Sequence, residues 1–252
     1  MNRATWAAIS RDSEIWKKIG IGAVSLALVL TTPLALGIVS NDLEAEAQRL
    51  RTKSGDPAKN ELPATDDLGK LAVDGIGPSM VFFGALCLFL LASIPVGLTY
   101  FNLYVFFRPA NEVIPEMHQE VQVSIVSVVL FGLIGLVGFL AQCMAAATLP
   151  VALAQSARGK DLMPALAVMS NAVTVTEMGV DYWKKAAGVA IGLLGMTSIF
   201  VTGAFGMPWY LSTPVCLLVS AIGFVGLILS SRHALAFLHD EFASAALPPL
   251  ED

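Results

Sequence analysis

IGPSMVFFGALCLFLLASIPVGLTYFNLYVFF, residues 76–107, contains no Lys, Arg, Asp, Glu or His. A bilayer core is crossed by roughly 20 helical residues, so this run is long enough to cross and brings no charge into hydrocarbon. Four further runs share the property: Ile19–Val39, Val121–Ser156, Ala186–Met207 and Leu211–Ser231. Nearly every charged side chain lies between the runs. Over 252 residues the chain is 56% hydrophobic and 14% charged, with a mean hydropathy of +0.71, whereas a soluble domain carries roughly 25% charge. The pattern predicts an all-α, polytopic transmembrane helix bundle, one integral membrane domain over residues 1–252.

The clean interior also bounds function. Proton relays and ion paths keep ionisable side chains inside the spans, and these runs have none. The net charge is −5 and no dense Lys/Arg cluster is present, so the sequence predicts no nucleic-acid partner. Cys87, Cys143 and Cys216 all fall in apolar runs, as small buried hydrophobes do. Arg3, Arg11, Lys17 and Lys18 precede the first run, but no small-residue cleavage site follows it. That run is expected to remain in the mature protein.

Basic residues favour the cytoplasmic side. Five simple crossings would place Arg49, Arg51, Lys53, Lys59, Lys70, Arg158, Lys160, Lys184 and Lys185 outside. If residues 19–39 instead enter and return, with a bend near Pro33, then 14 of the 15 basic residues become cytoplasmic, all but Arg108. The charge pattern therefore favours a cytoplasmic N-terminus (1–18, interfacial), a re-entrant 19–39 and four crossings at 76–107, 121–156, 186–207 and 210–231. A fifth crossing at 19–39, a normal crossing length, is the alternative. Trp6, Trp16 and Trp183 then fall at the cytoplasmic interface, and Tyr100, Tyr104, Trp209 and Tyr210 near the outer one, the levels these side chains prefer.

Between the runs, residues 41–75 read as a cytoplasmic interfacial segment. Asn41–Lys53 predicts an interfacial helix with Asn41 as N-cap and Glu44 as its capping-box partner. Leu43, Ala47 and Leu50 share one face, and acids precede bases along the macrodipole. A short helix is expected from Asp66 or Asp67 toward Asp74, with Gly75 and Gly77-Pro78 as breakers. Leu162–Val180 reads as an interfacial helix or helix-turn-helix. Arg232–Phe242 reads as an amphipathic extension, and 247–252 as a tail within the 232–252 terminus. Ile15-Trp16-Lys17-Lys18-Ile19-Gly20 is echoed by Tyr182-Trp183-Lys184-Lys185-Ala186-Ala187-Gly188, and Thr32-Pro33-Leu34-Ala35-Leu36 by Leu149-Pro150-Val151-Ala152-Leu153. The offsets differ between the pairs, which favours reuse of an aromatic-basic interface anchor over a tandem repeat.

The order of motifs resembles a known family. Asp12-Ser13-Glu14-Ile15-Trp16-Lys17-Lys18-Ile19-Gly20-Ile21-Gly22 resembles its entry motif. Glu61-Leu62-Pro63-Ala64-Thr65-Asp66-Asp67-Leu68-Gly69-Lys70-Leu71 with Asp74-Gly75 is similar to its middle landmarks. Leu149-Pro150, Ala165-Leu166 and Asp181-Tyr182-Trp183 resemble its second half. The family is a prokaryotic multi-pass membrane group known only as a domain of unknown function (number 4013). The resemblance spans residues from about 10 to 242, although Ala64-Thr65 replaces an expected aromatic. It implies a multi-pass protein of a prokaryotic cytoplasmic (inner) membrane and transfers no activity.

Glycine spacing is the strongest internal signal: Gly132, Gly135 and Gly138; Gly188, Gly192 and Gly195; Gly223 and Gly226. Small residues let membrane helices approach closely, either within the bundle or against a partner subunit. Gln142 and Asn102 are the notable amides within the spans, candidates for interhelical hydrogen bonds or for a polar path. Glu112, Glu116, His118 and Glu120 cluster in one loop; within the Glu116-x-His118-x-Glu120 run the residues are two apart, which separates them on a helix, and the cluster reads as a solvated loop. His233 and His239 are six apart and make no metal pair. The sequence thus predicts no catalytic residue, metal or cofactor. It points to a non-enzymatic accessory or scaffolding subunit whose partners are the lipid bilayer and other membrane subunits. The alternative is a transporter or channel for a small or lipidic solute, lined by Gln142, Asn102 and the region of Pro33. A membrane enzyme using Asp66, Asp67 and Asp74 ranks third.

Overall fold

The computed structural model describes residues 14–28, 31–52, 62, 65–107, 125–159, 167–204 and 209–245. Among these the protein is all-helical: α1 (Ile15–Ala27), α2 (Thr32–Thr52), α3 (Leu68–Asp74), α4 (Ile76–Phe107), α5 (Ile125–Gly159), α6 (Val168–Glu177), α7 (Gly179–Ala204) and α8 (Trp209–Ala245). Three helices are long and apolar enough to cross a membrane, within Ile76–Tyr104, Ile125–Ala157 and Thr213–Asp240. The chain forms two compact units, one from residues 1–85 with 146–252 and the other from residues 86–145.

The run Ile19–Val39 is not one helix. α1 ends at Ala27, and its C-cap Leu28 is extended. Thr31 turns the chain back, with its N–H donating to Leu28 O at 2.8 Å. Pro33 occupies the first turn of α2, where a missing N–H removes no intrahelical bond. The break therefore lies just ahead of Pro33, which starts the second helix instead of bending the first.

α2 then continues through Asn41, correcting the expectation of a separate helix that begins there. Little between Leu34 and Thr52 interrupts a helix. Gly37 is retained where α3 comes close, since a methyl there would strike the Leu71 carbonyl. Asn41 is mid-helix and forms no cap; its amide donates to Asp74 Oδ2 at 3.1 Å. The expected start of α3 holds, because Asp67 caps it by accepting from Lys70 N–H at 2.9 Å. Gly75 closes α3, but Gly77-Pro78 does not break the chain. Both lie in the first turn of α4, where proline is tolerated. A side chain at Gly75 would collide with the Pro33 carbonyl, so α2 and α3 touch backbone to backbone.

Within Leu162–Val180, α6 ends at Glu177, and α7 opens on Gly179 at φ +72°, a conformation glycine takes without steric cost. The C-terminal extension is continuous with the last apolar run inside α8. In the unit of residues 1–85 and 146–252, the most extensive helix pair is α7 with α8, and α1 and α2 also pack on α8. Leu36, Val39, Leu43, Tyr182, Phe224 and Leu235 are fully buried there.

That unit also buries a charge pair. Arg232 Nε donates to Asp42 Oδ2 at 2.8 Å, and Arg232 Nη2 donates to Asp42 Oδ1. The side chains are 8% and 2% exposed. Leaving one buried charge alone costs about 3–5 kcal/mol, whereas replacing both by apolar groups is often neutral. Arg232→Met is therefore expected to lower the thermal unfolding midpoint in detergent sharply, and Asp42→Leu added to it is expected to recover most of the loss.

Candidate functional site

In the unit of residues 86–145, α4 and α5 meet through small residues. A methyl on Gly138 would lie 2.7 Å from Pro95 Cγ, and Gly135 abuts the Thr99 side chain. Gly132 faces open space. The glycine triplet is thus divided between packing and an open position. Gln142, 3% exposed, donates through Nε2 to Ser93 Oγ, and Ser93 donates onward to Phe89 O at 2.9 Å. Asn102 Nδ2 reaches Ser127 Oγ at 3.4 Å, and Thr99 Oγ1 donates to Phe131 O. Both amides tie α4 to α5, at levels separated by about 13 Å along α4 at 1.5 Å per residue. Gln142 Oε1 and Asn102 Oδ1 are buried with no hydrogen-bond partner among the described residues.

The other glycine sets meet each other. A methyl on Gly192 would lie 2.5 Å from Gly223 Cα, and one on Gly188 would lie 3.0 Å from Gly226 Cα. Gly195 abuts the Val219 side chain. Two backbones in contact leave no room for side chains, which is why glycine stands at these positions. Gly22, absent from the sequence candidates, packs beneath the Phe224 ring; no spacing in α1 marks it. A small space of about 20 Å³ remains beside this seam, lined by Leu26, Phe82, Leu193, Met196, Leu227 and Ser220.

The ends of α1, α7 and α8 gather the charged and aromatic side chains of the same unit. Lys18 is 4% exposed and donates to Leu62 O at 2.7 Å. Lys17 lies 3.9 Å from Asp66 and 3.6 Å from Glu14. Tyr182 is fully buried and donates to Ala147 O; burial pushes its phenol far above its ordinary pKa. Its ring centroid lies 5.9 Å from that of His233. Lys185 Nζ is 2.6 Å from His233 Nδ1, and desolvation lowers the Lys185 pKa. Asp181 lies 3.4 Å from Lys184, whose hydrogen bond and charge lower the Asp181 pKa.

A groove of about 370 Å³ opens here, lined by Trp16 and Ile19 of α1, Lys184, Lys185 and Gly188 of α7, and Ile222, Val225 and Leu229 of α8, among others. The two Trp-Lys-Lys echoes therefore meet: Trp16 comes from one and Lys184-Lys185 from the other. Each echo lies in the opening turns of a helix. The two proline echoes differ in setting, Pro33 starting α2 and Pro150 lying inside α5. No local signal in either anchor discloses the pairing.

Glu112, Glu116, His118 and Glu120, along with Trp6 and the 247–252 tail, lie outside the described residues, as do the side chains of Trp209 and Tyr210. Among the described residues no three His, Cys, Asp or Glu side chains cluster as metal ligands. Trp16 is 77% exposed and Tyr100 72%, and Tyr100 stacks with Tyr104 at 6.4 Å.

Gly192→Leu is expected to destabilise the protein by about 1–3 kcal/mol through overpacking, while Gly132→Leu should change stability by less than about 0.5 kcal/mol. Thermal unfolding of both variants in one detergent measures the contrast. Compared with protein-family models, with curated proteins and with solved structures, the chain matches none.

Proposed function

We propose that this chain is a non-enzymatic accessory or scaffolding subunit of a larger assembly in a prokaryotic cytoplasmic membrane and, by its motif order, a member of the family of unknown function (number 4013) that it resembles. The observation that carries the subunit reading is the closed packing of its interior. Glycine backbones meet along the α7–α8 seam, and the space beside them is about 20 Å³ with apolar walls and one hydroxyl. A solute path needs a polar cavity near the midplane. Gln142 and Asn102, the amides that would line one, are instead tied at separate levels. Outside the bundle, α5 exposes Ile125, Val126, Val129, Leu133 and Val137, a surface suited to lipid or to a partner's helices.

The topology proposed with this role has four crossings, with α1 and α2 entering and returning on the cytoplasmic side. The Lys18–Leu62 hydrogen bond and the Lys17–Asp66 contact support it, because they join the segments before and after the run 19–39. The Asp42–Arg232 pair further joins the end of that run to the end of the last crossing. α1 is 13 residues long, about 20 Å at 1.5 Å per residue, short of a bilayer core of about 30 Å. α7 supplies the remaining crossing. α6 exposes Met169 and Val173 and buries Asn171 and Val175, which suits a helix lying at the interface.

Two measurements test this reading. Extraction in mild detergent, native sizing and mass spectrometry should give a stoichiometric protein partner; a lone monomer or homo-oligomer overturns the subunit role and favours transport of a small or lipidic solute. In a background with Cys87, Cys143 and Cys216 replaced by Ala, Glu14→Cys and Asp66→Cys should both react with a membrane-impermeant maleimide from the cytoplasmic side. Reaction from opposite sides would establish a fifth crossing at 19–39.

A further inference from the structure

The groove between α1, α7 and α8 has features that the bundle does not need for its own packing. Its volume of about 370 Å³ falls within the roughly 300–1,000 Å³ of small-molecule sites. Part of its floor lies where Gly188 meets Gly226, so no side chain fills it from below. Ile19, Ile222, Val225 and Leu229 make apolar walls, while Lys184, Lys185 and the exposed Trp16 indole stand together at its margin.

The charge is asymmetric. The chain as a whole carries −5, yet this groove is bordered by two adjacent cations. Lys185 is half-buried and is hydrogen-bonded to His233 Nδ1 at 2.6 Å, and among the described residues no carboxylate lies within ion-pair range of it. Lys184 is paired only loosely, at 3.4 Å, with exposed Asp181. An apolar slot with two cations and a single ion-paired carboxylate at one end complements a molecule with an apolar tail and an anionic head. Tryptophan beside the lysines is the residue type that settles at lipid headgroup level.

We propose that this groove binds one anionic glycerophospholipid, an acyl chain lying along Gly188, Ile222 and Val225 and the phosphate held by Lys184 and Lys185. The site rests on the membrane reading of the chain and is independent of the subunit role. It differs from general attraction to an acidic bilayer because it requires a shaped slot as well as charge.

The test uses the full-length protein, delipidated in detergent and titrated by native mass spectrometry with phosphatidylglycerol and, separately, phosphatidylcholine of the same chains. Phosphatidylglycerol is expected to bind preferentially. Lys184→Gln or Lys185→Gln should weaken it about fivefold each, and together on the order of twentyfold, given roughly 1 kcal/mol per basic residue at an anionic lipid surface. Val225→Trp should fill the slot and block binding. Lys184→Arg with Lys185→Arg should keep it, and Lys70→Gln should leave it unchanged, which separates this site from net charge. Equal binding of the two lipids overturns the proposal, as does full binding by the double Gln variant. Competition by glycerol phosphate as effective as that by phosphatidylglycerol also overturns it, because the headgroup alone would then suffice. Selective lipid binding by a protein that purifies without a partner leaves this site standing while the subunit role falls, and a partner without lipid selectivity does the reverse.

Discussion

A carboxylate and a guanidinium, 190 residues apart in sequence, meet where almost no water reaches them, and much of the larger unit depends on that meeting. Asp42 sits on α2 and Arg232 on α8, so their two hydrogen bonds tie α2 to the longest of the described helices. α3 is seated on α2 through Gly37, Gly75 and the Asn41–Asp74 hydrogen bond, and α7 is seated on α8 through paired glycines. A buried ion pair contributes little net stability over apolar residues of the same shape, because desolvation offsets attraction. Both of its hydrogen bonds run between α2 and α8, so the pair ties those two helices together.

Both units show how polar groups are handled away from water. Tyr182 and Lys18 in the larger unit, and Gln142 and Ser93 in the unit of residues 86–145, each direct a donor to an acceptor. Lipid offers no substitute for such bonds. Where helices must come closest, side chains are removed instead, at Gly188, Gly192, Gly223 and Gly226. The chain thus uses two devices, directed hydrogen bonds from buried polar side chains and bare backbone along the α7–α8 seam.

The helical class, three long apolar helices and the Asp67 cap were legible in the sequence because they depend on local composition. Uncharged runs announce themselves, and an aspartate followed by a free N–H three residues on is a short-range signal. The glycine sets were legible as close-packing residues, but not the pairing of Gly188 with Gly226 and Gly192 with Gly223, which is set by the register of two helices. Asn41 misled because its residue type suits a cap, while its amide is used by Asp74, 33 residues away. The Asp42–Arg232 pair and the union of Trp16 with Lys184 and Lys185 were invisible for the same reason. Each half looks like an ordinary interfacial charge until the fold brings the other half to it.

The sequence distance between Asp42 and Arg232 sets an order of assembly. A ribosome adding about 5–20 residues per second needs on the order of ten to forty seconds to go from one to the other. Through that interval the aspartate has no arginine, and α2 has no α8 to lie against. The nascent chain must hold its amino-terminal helices near the water boundary, or in the keeping of the insertion machinery, until its final helix emerges. A polypeptide ending before Arg232 would have to leave Asp42 in water or bury it without its partner, at a cost of about 3–5 kcal/mol.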